Sequence, residues 1–119
     1  MPTLRVRNQT RNTLLGDRIG MADTSAKRRT GLLKHTGLER GEGLWIAPTE
    51  AVHTFGMKFP IDVLFLDKKR RVLKIRHAMP RSRMAFCLTA HSVLELPSGT
   101  AAAMQTAVGD QLEFEKYDD

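Results

Sequence analysis

The run Ile61-Asp62-Val63-Leu64-Phe65-Leu66 constrains this chain more than any other segment. It is apolar but for one aspartate, and its β-branched and aromatic side chains suit a pleated strand. A charged turn over residues 67–71 follows, and then Val72-Leu73-Lys74-Ile75-Arg76 alternates apolar with polar. Strand, turn and alternating strand together predict a β-hairpin.

Similar patterns recur on both sides. Leu4 and Val6 alternate with Arg5 and Arg7, and residues 13–21 read as a second strand interrupted by Gly16 and Gly20. Leu44-Trp45-Ile46-Ala47 is a short apolar run stopped by Pro48, and Thr54-Phe55-Gly56-Met57 reads as an extended piece closed by Pro60. Ser92-Val93-Leu94-Glu95-Leu96-Pro97 and the alternation of Leu112 and Phe114 with Glu113 and Glu115 add two more. Helix signals are fewer. Asp23-Thr24-Ser25 supplies N-cap chemistry for a short helix over residues 26–35, with Leu32 and Leu33 inward and Thr36-Gly37 at its end. The alanine-rich residues 100–106 after Gly99 allow a second. Seven or eight short strands and about two short helices, without βαβ alternation, predict a strand-rich α+β fold. The expected sheet is curled or barrel-like and mostly antiparallel. A length of 119 residues suits one domain over residues 1–119.

Charge bears on partners rather than on fold. Nineteen Lys and Arg against 13 Asp and Glu give a net charge of +6. Residues 68–83 hold eight bases and no acid, and no aromatic side chain for stacking. Lys68-Lys69-Arg70-Arg71 falls at the hairpin tip, where solvated charge is the ordinary outcome. Nucleic acid therefore ranks behind a small ligand or peptide as a partner. Cys87 is the lone cysteine, which excludes an internal disulfide, and its setting between Phe86 and Leu88 reads as a buried, inert thiol. The four histidines are scattered and Gly41-x-Gly43 lacks the third glycine of a dinucleotide loop, so neither a metal nor a cofactor is expected. The N-terminus has no secretory apolar run, and no stretch nears the roughly 18 apolar residues of a membrane span. A cytoplasmic location without membrane insertion is the expectation.

The densest unusual stretch is His53-Thr54-Phe55-Gly56-Met57-Lys58, followed by Pro60-Ile61-Asp62-Val63-Leu64-Phe65-Leu66-Asp67. With Val93-Leu94-Glu95-Leu96-Pro97-Ser98-Gly99, Gly109-Asp110 and Arg29-Thr30-Gly31-Leu32-Leu33, it resembles the domain of unknown function 192 family across residues 4–116. Gly56 stands where that family commonly has tryptophan. The resemblance implies a small β-rich single domain and supplies no reaction.

Candidate site residues follow from polar groups set among apolar strands. They are His53, Thr54, Phe55, Met57, Lys58, Asp62, Glu95 and Gly99. Strand alternation turns Glu95 away from Leu94 and Leu96, so if both faces are covered it requires a donor such as Lys58, Arg81 or Arg83. These residues predict a binding or accessory module whose rim or cleft holds a small anionic ligand or a peptide. The alternative is an acid–base or hydrolytic enzyme using His53, Lys58 and Asp62. A further alternative is an electrostatic binder of nucleic acid or an acidic protein.

Overall fold

The computed structural model describes residues 2–118. Its elements, in chain order, are β1 (Pro2–Asn8), β2 (Thr13–Ala22), α1 (Ser25–Thr30), β3 (Gly41–Ile46), β4 (Ala51–His53) and β5 (Ile61–Leu66). Then come β6 (Val72–Met79), β7 (Met84–Phe86), β8 (Ser92–Pro97), α2 (Thr100–Ala103) and β9 (Leu112–Asp118). Seven strands make one sheet in the order β6-β5-β8-β3-β2-β1-β9, while β4 and β7 form a separate ribbon. All pairings are antiparallel except β2 with β3. A parallel pair requires a crossover, and here α1 and the segment after it provide one. The fold is therefore strand-rich α+β with a mostly antiparallel sheet.

The sheet curls without closing. Its edge strands β6 and β9 meet at one corner, where Arg71 and Gln111 form an isolated bridge. Val72 N–H donates to Asp110 O at 2.9 Å, Gly109 N–H to Val72 O at 2.8 Å and Leu112 N–H to Arg70 O at 3.0 Å. No ladder runs between the two strands, so the barrel stays open along this seam.

Curling divides the apolar side chains into two cores. Inside the curl lie Leu4, Val6, Leu15, Ile19, Trp45, Leu64, Leu66, Val72, Leu94, Leu96 and Leu112. On the outer face, Ile61, Val63, Phe65, Met79 and Val93 are covered by Val52, Ala85, Met57 and Leu32, a second layer brought by the ribbon and the chain after α1. β5 and β8 are thus buried on both faces, which explains why their sequences are nearly unbroken apolar runs. The hairpin turn is built by Asp67, whose Oδ1 accepts from Lys69 N–H at 2.8 Å and Arg71 N–H at 2.9 Å.

Several expectations are corrected. The first helix spans Ser25–Thr30 rather than 26–35. Thr24 caps its start by accepting from Lys27 N–H at 3.2 Å, but Gly31 ends it at φ 48°, a left-handed region that glycine enters without steric cost. Leu32 is buried all the same, from the turn beyond the helix. The second helix stops at Ala103 rather than Thr106. Residues 54–57 form a turn, and the neighbouring strand is β4 instead. Cys87 is only half-buried, since Phe86 and Leu88 beside it are exposed.

Candidate functional site

On the outer face of the sheet, α1 and the chain after it stand opposite β4, and a cleft of about 380 Å³ opens between them. Glu95 of β8 lies at its floor. Alternation along β8 sends Leu94 and Leu96 into the curl and Glu95 outward. Its in-register neighbours on the flanking strands are Leu44 and Val63, which offer it no donor. The residue is 5% exposed, and its carboxyl accepts no hydrogen bond from any described residue. Burial pushes its carboxyl up from 4.5 to about 7. Near neutral pH it is divided between its acid and carboxylate forms.

The α1 wall carries the opposite charge. Arg28 and Arg29 line the α1 side, and His53 lines the β4 side. Arg28 is tethered: its guanidinium donates to Asp23 O at 3.3 Å, Ala47 O at 3.4 Å and Ser25 Oγ at 3.4 Å. Arg29 is exposed and makes no such bond among the described residues. The His53 ring stacks on Phe55 with centroids 5.7 Å apart. Leu32, Val52 and Met57 supply an apolar lining.

Of the residues singled out from sequence, His53, Met57 and Glu95 share this cleft. Phe55, 49% exposed, does not line the cleft and touches it only by stacking on His53. Thr54 is an anchor. Its Oγ1 donates to Pro80 O at 2.6 Å and accepts from Arg83 N–H at 2.9 Å, holding β4 to the β6–β7 connection. Lys58 is exposed and lines a different recess with Pro80 and Arg81, so neither it nor the Arg81/Arg83 pair serves Glu95. Asp62 faces the curl, not the cleft. Its Oδ1 accepts from Ala78 N–H at 2.8 Å and its Oδ2 from Ala101 N–H at 2.8 Å. Gly99, at φ 91°, caps α2 beside that contact. His53, Lys58 and Asp62 are therefore not brought to one point.

In the sequence, Arg29 stands out only as part of the Arg29-Thr30-Gly31-Leu32-Leu33 motif, and neither it nor Arg28 is among the candidate site residues. The available signal was their place after a capping Thr24, but only the crossover from β2 to β3 sets α1 over β8. Part of the basic run of residues 68–83 is engaged with its own surroundings. Arg70 lies over Trp45 at 4.6 Å and Phe114 at 4.9 Å. Lys74 donates to Phe86 O at 2.8 Å, and Arg71 to Gly109 O at 3.3 Å.

Comparison with known proteins matches this framework throughout. A UPF0127 protein of Thermococcus sibiricus is 29% identical over 113 residues, covering 91% of this chain and 73% of that protein. A UPF0127 protein of Thermococcus kodakarensis is 26% identical over 112 residues, covering 90% and 71%. The crystal structure of a protein of unknown function from Novosphingobium aromaticivorans superposes with a TM-score of 0.80 at 25% identity, over 95% of this chain and 84% of that one. That of a proposed transcription regulator from Sinorhizobium meliloti gives 0.82 at 21% identity, over 96% and 94%, a likeness of fold alone. From Val6 in β1 to Phe114 in β9 the chain matches the model for DUF192, described as an uncharacterized ACR, and it belongs to that family.

Proposed function

We propose that the protein is a small binding module whose ligand enters the cleft between α1 and β4 and carries an anionic group. One observation supports a binding site here above the others, and the arginine wall gives the sign of the group bound. Glu95 is buried without a hydrogen-bond partner among the described residues, yet it faces a cleft rather than packed side chains. Unpaired buried carboxyls are costly, and those facing a concavity are characteristic of sites that bind something. The cleft volume of about 380 Å³ lies at the small end of the range for ligand pockets, roughly 300–1,000 Å³. Arg28 and Arg29 give its mouth a positive potential suited to a carboxylate or phosphate.

The test is a protein-observed NMR titration with acetate, succinate and inorganic phosphate. Amide shifts are expected to concentrate at residues 25–33 and 49–53, and Arg29→Ala is expected to weaken them. Shifts scattered over the surface, or equal in wild type and Arg29→Ala, would overturn the reading.

A further inference from the structure

The cleft presents two opposite charges on different elements, a carboxyl on its floor and guanidinium groups on one wall. A purely anionic ligand satisfies the arginines and leaves Glu95 without a counter-charge. A purely cationic one pairs with Glu95 but leaves the guanidinium groups of the α1 wall without an anion. A ligand with both charges matches both, and the apolar surface of Leu32, Val52 and Met57 in the same cleft suits a short hydrocarbon side chain. We infer that the cleft takes a small α-amino-acid zwitterion with an apolar side chain, its ammonium at Glu95 and its carboxylate at Arg29. This rests on the binding reading above and narrows it to one ligand class.

Arg29 is the wall residue with a guanidinium to spare, whereas Arg28 is held by Asp23 O, Ala47 O and Ser25 Oγ. His53 approaches from β4, while β3 and β5 present Leu44 and Val63 beside Glu95. No second carboxylate lines the cleft among the described residues, so an ammonium there has Glu95 as its acidic partner. An ammonium recruits the ionised carboxylate, whereas the empty cleft at mildly acidic pH holds the carboxylic acid. Binding then converts the Glu95 acid to carboxylate and releases its proton to the buffer. A ligand that is only a carboxylate gives no such release from Glu95, because the acid form remains the better donor.

Three probes with a common side chain separate these cases: L-leucine, 4-methylpentanoate, which lacks the amine, and isoamylamine, which lacks the carboxylate. Thermal shift at millimolar concentration ranks them, and titration calorimetry at mildly acidic pH in two buffers of different ionisation enthalpy counts protons. Leucine is expected to raise the Tm most and to release a proton. Glu95→Gln keeps the shape of the neutral acid, and so the fold, but weakens leucine by about tenfold, the worth of one charge-assisted hydrogen bond. If 4-methylpentanoate binds as tightly as leucine, or Glu95→Gln leaves leucine unaffected, the zwitterion assignment falls while the anion-binding reading stands. If none of the three, nor any of the anions above, is bound, both fall.

Discussion

Asp62 and Ala101 are joined across the inside of the curled sheet, the Ala101 N–H donating to Asp62 Oδ2 at 2.8 Å. The second oxygen is also occupied, accepting from Ala78 N–H at 2.8 Å. A carboxylate in the middle of a doubly buried strand thus ties β5 to the start of α2 and to the end of β6. Gly99 makes the α2 contact by turning the chain at φ 91° just before the helix.

Asp62→Ala strands the Ala101 amide, and Ala101 is fully buried. A buried donor left unpaired costs about 1–3 kcal/mol, so a loss in that range is expected from urea denaturation. Asp62→Asn should recover only part of it, since its amide offers one acceptor where two donors point. At conditions where the variant is folded, the NMR response of the cleft to anions should be unchanged. A lost response in a folded Asp62 variant would restore that residue to the site.

Arg70 leads to a second expectation. Its guanidinium covers the Trp45 ring at 4.6 Å and the Phe114 ring at 4.9 Å, and the two rings meet edge to face at 5.2 Å. Such contacts are worth about 0.5–2 kcal/mol according to how far they are desolvated. Arg70→Ala should lose stability of that order and shift Trp45 fluorescence to the red as water reaches the ring. Arg70→Lys keeps the charge but not the flat stacking surface, and should recover little. Unchanged emission in Arg70→Ala would mean that the arginine does not shield the indole.

These two residues show how far the sequence could be read. Ile61–Leu66 and Val72–Met79 were legible as a hairpin because strand alternation and a turn rich in charge are local signals. Asp62 was equally visible as a polar residue in that strand, but its partners lie on α2 and at the end of β6, beyond any local pattern. β4 and β7 were missed for a related reason. Each has only three residues, and Met84 and Phe86 are exposed apolar side chains that blur the expected alternation. The alternation along β8 did turn Glu95 outward as expected. What it faces depends on the crossover that brings α1 across the sheet, and so the arginine wall could not be foreseen.

Asp110 is a structural anchor and should titrate as one. Burial raises its carboxyl, but hydrogen bonds from Asn8 and Arg11 side chains and from Ala107 N–H outweigh this, with the Arg11 charge adding to them, and the net shift is downward from 3.8. Its Oδ2 accepts from Asn8 Nδ2 at 2.9 Å, Arg11 Nε at 3.0 Å and Ala107 N–H at 2.9 Å. A depressed pKa means stability that is present above 3.8 and is lost as pH falls through the lower folded value. Asp110→Ala should cost about 1–3 kcal/mol by leaving buried Asn8 short of its better acceptor. Arg11→Ala should cost under about 1 kcal/mol, because that side chain is 41% exposed and water screens it. Equal losses in the two variants would mean that the ion pair, rather than the buried amide, is what Asp110 contributes.

Glu95 has the opposite sign. Its folded pKa of about 7 lies above the ordinary value of 4.5, so between these pH values the folded chain holds a proton that the unfolded chain has released. The folded state therefore loses stability as pH rises through that window, by about 3 kcal/mol in total. Glu95→Gln has no proton to lose there. Its stability should equal that of wild type near pH 4.5 and exceed it by up to about 3 kcal/mol above neutrality. Urea denaturation of both proteins across the window reads the difference directly. Parallel stability curves would mean that the carboxyl stays solvated in the folded state, and with that the physical basis for a site at the floor of the cleft would be gone.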